Sequence, residues 1–170
     1  MARMTISGYG QVELNNVAFR RDGRIEAQCA LDTADFADVP AENGMILRVK
    51  KADHKICFAD ASDANQLYAL NYSAEHIYDE RTPGLKNFKL ESKNDFLPRV
   101  GYLAAGDLWT TNCVDLGSYG NVAAVASALA SGTVYAAVGT KGAVVLGSAA
   151  PTVGPVIQVV KKTTMPDGQD

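Results

Sequence analysis

Between Asn121 and Val160 the chain carries one charged residue, Lys141, and is otherwise dominated by Ala, Val and Gly. A stretch this poor in charge is expected either in the chain's own core or against another subunit, because surfaces of that composition are costly to leave in water. It is not one apolar block. Gly and Ser interrupt it repeatedly and Pro151 and Pro155 fall late in it, so no run approaches the ~20 residues of a membrane helix. Within it, TVYAAVG (133–139) and AVVLG (143–147) flank Thr140-Lys141-Gly142 and predict a hairpin, while VIQVVKKTTM (156–165) predicts a long final strand. NVAAVASALASG (121–132) differs: Ala favours helix, and Val122, Val125 and Leu129 recur at helical spacing, which argues for a helix.

The same short segments fill the rest of the chain. Asp22-Gly23 between VAFRR and the alternating Ile25, Ala27, Cys29 and Leu31 predicts a hairpin, since Asp-Gly supplies the positive φ of a tight turn. That phase also makes Cys29 a small buried side chain. The acidic, Pro- and Gly-containing stretch 32–44 reads as a loop ending in Asn43-Gly44. MILRVK (45–50), KADH (51–54) and KICF (55–58) then form a second expected hairpin. QLYALNY (66–72) places Tyr68, Leu70 and Tyr72 on one strand face. SAEHIYDERTPGLKN (73–87) is an excursion with at most one helical turn before Pro83-Gly84. FKLE (88–91) and LPRVGYL (97–103) are further strands, Pro98 marking an edge or a strand start, and Ala105-Gly106-Asp107 turns into LWTTNCV (108–114). About eight to ten strands against at most two short helices define an all-β class, a compact β-barrel or sandwich. Residues 1–15 read as an extended N-terminal arm and 16–170 as a single β-rich domain.

Composition narrows the function classes. A 170-residue chain that is 47% hydrophobic and 21% charged is an ordinary globular domain. Its 16 basic and 19 acidic side chains give a net charge of −3, without the basic excess that phosphate neutralisation demands, so nucleic acid is not expected as a direct partner. The opening MARMTISGYGQVEL lacks the apolar run of a secretory signal, which makes cytoplasmic synthesis with reduced thiols the expectation. Cys29, Cys57 and Cys113 are dispersed and form no C-x-x-C pair, so neither a zinc ribbon nor a disulfide framework is indicated.

Motifs that carry chemistry fall short of completion. His54 and Cys57 have H-x-x-C spacing, with Asp60 and Asp63 nearby, but structural zinc takes four ligands and no second pair follows, so no metal is expected. Cys113, His76 and Asp115 make a conceivable nucleophile, base and orienting carboxylate, yet TTNCVDLG carries no local signature of such an enzyme. The glycines of GYG (8–10) and VGTKG (138–142) lack the strand–loop–helix context of a phosphate cradle, and Ala143 stands where Ser or Thr is needed. Asn71-Tyr72-Ser73 is a formal glycosylation sequon that a cytoplasmic chain does not use. No catalytic residue, metal or cofactor is therefore expected.

Two segments carry a resemblance. EHIYDERTPGLKNFKLESKNDFLPRVGYLAAGDLWTTNCV (75–114) and TVYAAVGTKGAVVLGSAAPTVGPVIQVVKKTTMPDGQD (133–170) resemble the head decoration, or auxiliary capsid, proteins of tailed bacteriophages. The likeness lies in the order of an acidic-aromatic excursion, a Pro-Arg-Val strand, a Gly-Asp turn into an aromatic strand, and an uncharged end closing on Pro-Asp-Gly. It implies a β-rich body bound to the outside of the phage head, often as a homotrimer, with the major capsid protein as partner and no membrane. The residues suit this. Met4, Thr5, Ile6, Tyr9 and Val12 lie in an alternating opening that is able to add as a strand to a neighbour's sheet edge, or else to pair within its own domain. Trp109 is a candidate interface anchor, with burial in the core as the alternative. Mild acidity fits the exterior of a shell better than its DNA-facing interior. Other virion components, such as a tail-tube or receptor-binding module, and a small hydrolase using Cys113 or a His54/Cys57 metal, are the alternatives.

Overall fold

The computed structural model describes residues 12–60, 66–73, 89–90 and 97–164. In chain order its elements are β1 (Val12–Asn16), α1 (Ala18–Asp22), β2 (Ile25–Glu26), β3 (Ala41–Glu42), β4 (Ile46–Lys50), β5 (Lys55–Phe58), β6 (Ala69–Asn71), β7 (Lys89–Leu90), β8 (Val100–Tyr102) and β9 (Leu108–Thr111), then α2 (Val122–Ser131), β10 (Val134–Val138), β11 (Val144–Gly147) and β12 (Ile157–Val159). The fold is all-β, as expected, with every strand pair antiparallel.

A five-stranded sheet in the order β2-β8-β6-β4-β5 is the organising element. Its strands alternate between two cores, because successive side chains of a strand point to opposite faces. Leu47, Ile56, Ala69 and Val100 face one core, together with Cys29, Leu31, Phe36 and Met45. Ile46 and Leu70 face the other, with Phe19, Tyr72, Val134, Ala136, Val138, Val144 and Leu146. The second core joins the central sheet to a smaller one in the order β11-β10-β12. The sheet also curls: the chain leaves β2 at one edge and reaches the opposite edge within a few residues, where Leu31 bridges in parallel to Ile56 of β5. There the Asp32 N–H donates to the Ile56 carbonyl and the Ile56 N–H to the Ala30 carbonyl, both at 2.9 Å. Barrel-like closure of this kind removes an exposed edge.

The hairpin expected at Asp22-Gly23 is replaced by a helix. Residues 18–22 form α1, and Gly23, at φ 69°, is its left-handed C-cap. Positive φ serves a helix stop as well as a hairpin turn, and the long-range contacts decide between them. Phe19 is fully buried, its ring 5.2 Å from that of Tyr72. It lies over Gly101 of β8, where an added Cβ would come within 2.2 Å of the ring. The helix start has no side-chain cap of its own. Instead the Ala18 N–H donates to Asp107 Oδ1 at 2.6 Å, while Asp107 Oδ2 accepts from Ala104 N–H at 2.8 Å.

Other expectations are met locally. β4 and β5 pair as a hairpin with Leu47 opposite Phe58 and Lys50 opposite Lys55. β10 and β11 pair with Val138 opposite Val144. The 121–132 segment forms α2, capped by Asn121, whose side chain accepts from Ala124 N–H at 2.8 Å. The long strand expected over 156–165 is shorter: β12 pairs with β10 only over Ile157–Val159. β1 pairs with β9 and Val12 is buried at 2% exposure, so Val12 belongs to the chain's own core and is not an arm contact. Met4, Thr5, Ile6 and Tyr9 lie outside the described residues, as does nearly all of the 73–87 excursion with His76.

Candidate functional site

The closure of the central sheet brings three unlike polar side chains together. Glu26 ends β2, Cys29 lies on the crossing segment, and His54 closes the 51–54 turn before β5, at φ 54°. Cys29 Sγ is 3.5 Å from His54 Nδ1 and 3.7 Å from Nε2. His54 Nε2 is 3.5 Å from Glu26 Oε2, which is 3.8 Å from Cys29 Sγ. The Tyr102 hydroxyl donates to the other carboxylate oxygen, Glu26 Oε1, at 3.2 Å. The thiol is fully buried, whereas the imidazole is open to solvent with 62% of its side chain exposed.

Electrostatics separates this cluster from an activated nucleophile. Burial first, and the neighbouring Glu26 carboxylate second, push the Cys29 thiol above its ordinary value. The same two causes push the Tyr102 hydroxyl up to about 12. A reactive cysteine needs surroundings that favour thiolate, and these favour the protonated thiol.

The residues singled out in the sequence are placed differently. His54 turns toward Cys29, while Cys57 is buried in β5 with its thiol directed to the Lys55 carbonyl at 3.9 Å, so the H-x-x-C pair is split. Cys113 is also buried. Asp115 acts on the backbone around it, its carboxylate accepting from Gly117 N–H at 2.9 Å and its main chain bridging to β11. Asn71 of the sequon is fully buried, its amide donating to the Glu42 carbonyl at 2.8 Å. Trp109 is half-buried and packs on the core that contains Val12 and Phe19. Glu26 and Cys29 stand three residues apart, a local spacing that belongs to none of the motifs singled out in the sequence, whereas His54 joins them across 25 residues, at the seam where Leu31 bridges to Ile56.

A second feature is the edge of the β11-β10-β12 sheet. At the β11 side the backbone is covered, since Asp115 N–H donates to the Val144 carbonyl at 2.8 Å and Leu146 N–H to the Asp115 carbonyl at 2.9 Å. On the β12 side no strand pairs with the outer edge among the described residues. There Ile157 and Val159 turn toward the core, while Val156 and Val160 stand 61% and 72% exposed. A shallow groove bounded by Asp35, Arg48, Phe58 and Lys141 also opens on the surface. Two of its polar groups are already engaged: Asp35 accepts from Phe58 N–H at 2.8 Å and Arg48 Nε donates to the Phe58 carbonyl at 3.1 Å.

No helix among the described residues is long and apolar enough to cross a membrane. Comparison with protein-family models, with curated proteins and with solved structures finds no match.

Proposed function

We propose that this protein is a structural virion component, a decoration or cement protein that binds the outside of the mature phage head as a homotrimer and stabilises it. The observation that carries the reading is the β12 edge: a strand edge uncovered among the described residues, whose outward valines lie in the charge-poor third of the chain. An edge with free backbone groups and apolar side chains is a template for pairing with another chain. The sequence resemblance names the assembly in which such pairing is repeated around a small ring. The major capsid protein is the partner, reached through the arm residues Met4, Thr5, Ile6 and Tyr9. Many copies that bind only the mature lattice shift the shell toward that form by mass action, so the work is mechanical and needs no catalytic group.

Light scattering after size exclusion, followed by co-sedimentation with mature heads, tests this. The full chain is expected at three times its 18.0 kDa mass, and Val156→Lys with Val160→Lys is expected to return it to a monomer. Deletion of residues 1–11, which stops short of β1 and its buried Val12, is expected to leave the trimer intact and abolish head binding. A monomeric full chain without affinity for heads overturns the proposal.

A further inference from the structure

The geometry points to a metal site at the seam of the central sheet, in which Glu26, Cys29 and His54 bind a divalent cation of the zinc class. The three donor atoms come from two chain segments, Glu26 and Cys29 from the end of β2 and the residues just after it and His54 from the 51–54 turn, and all lie within 4.8 Å of one another. Taking Nε2 as the imidazole donor, the triangle has edges of 3.5, 3.7 and 3.8 Å. A tetrahedral zinc ion with bonds of ~2.0–2.3 Å to nitrogen, oxygen and sulfur spaces its ligands by roughly 3.3–3.7 Å, so the triangle closes on such an ion with shifts of a few tenths of an ångström.

The donor set also fits the class of ion. Thiolate, imidazole and carboxylate together suit a borderline-soft cation and are a poor match to calcium or magnesium, which take oxygen ligands. On binding, the Cys29 thiol releases its proton to solvent and the imidazole coordinates in its neutral form. Tyr102 supports the site from behind, its hydroxyl holding the second carboxylate oxygen so that Oε2 faces the ion. The fourth position opens on the exposed side of His54 and takes water. A bound ion would clamp the end of β2 to the β4–β5 turn, across the place where the two sheet edges approach. This seam is remote in sequence from the β12 edge, so the two proposals stand or fall separately.

The test is titration of the full-length, folded protein with Co²⁺ as a spectroscopic stand-in, followed by competition with Zn²⁺. One equivalent is expected to bind with a thiolate-to-cobalt absorption band in the near ultraviolet and tetrahedral bands in the visible, both lost on adding Zn²⁺. Cys29→Ser is expected to abolish the thiolate band. His54→Asn keeps a residue that tolerates positive φ on an exposed turn, so its fold is not at stake; it is expected to weaken binding at least tenfold. Tyr102→Phe is expected to weaken it by about 10–100-fold, the usual effect of losing a partner that orients a ligand. Cys57→Ser serves as the control and is expected to bind as the parent does. The assignment is overturned if no cobalt band appears, or if it survives Cys29→Ser and His54→Asn unchanged.

Discussion

Gly101→Ala probes the contact that made a helix out of the Asp22-Gly23 region. Gly101 lies mid-strand in β8, opposite Leu70 and Ile25, so the change asks nothing unusual of the backbone. In an open strand it would stabilise by roughly 0.5–1 kcal/mol, because Ala has less backbone freedom to lose. Here the new Cβ falls 2.2 Å from Phe19 Cδ2 and 2.4 Å from Cγ and Cε2, and that ring is fully buried against Tyr72. The ring must move or β8 must shift, which costs about 1–3 kcal/mol as in other overpacked cores. Phe19→Ala alone removes a buried aromatic and costs about 3–5 kcal/mol. Once the ring is gone, the added methyl enters the vacated space, and Gly101→Ala becomes neutral or stabilising. A double-mutant cycle by urea unfolding is therefore expected to show a favourable coupling of about 1.5–3 kcal/mol. Additivity within about 0.5 kcal/mol would refute the reasoning, and with it the placement of α1 over β8.

Asp107→Ala leaves the Ala18 and Ala104 amides without their carboxylate partner and is expected to cost about 1–2 kcal/mol in urea unfolding, whereas a stability equal to the parent's would count against both contacts. Asp32 is held below the usual carboxylate range, first by the Ala34 N–H and also by the Lys50 and Lys55 charges, with burial opposing. Its contribution to stability is thus complete above the unfolded carboxylate value of about 3.9 and fades as pH falls through the lower folded value. Asp32→Asn is expected to flatten that acid limb of the stability profile; an unchanged limb would argue against the Asp32 interactions. Burial, followed by Asp32 and Asp35, pushes the Cys57 thiol up to about 11. Native protein at about pH 8 is therefore expected to leave Cys57 unmodified by thiol reagents until it is unfolded, as mass spectrometry of the labelled peptides would read.

Much of the fold is legible in the sequence where the contacts that make it are local. KICF follows MILRVK across four residues, and AVVLG follows TVYAAVG across three, so the alternation and turn chemistry of each pair contain most of what its hairpin needs. The Ala-rich 121–132 run with apolar residues at helical spacing likewise announces α2, while its Asn121 cap came from the structure. Asp22-Gly23 is where local information is ambiguous, since a hairpin and a helix C-cap both need positive φ at that glycine. Tertiary structure chose the helix by burying Phe19 over the bare Cα of Gly101 and by lending Asp107 to the first amide of α1. It also shortened the final strand, because β10 begins at Val134, the partner of Val159, and so offers residues 160–164 no partner. The site followed the same rule: Glu26 stands three residues before Cys29 and is local to it, but the meeting with His54 depends on the sheet curling until Leu31 reaches Ile56. Periodicity reports which side of a strand a residue faces, whereas which strands become neighbours is set by the packing of the whole chain.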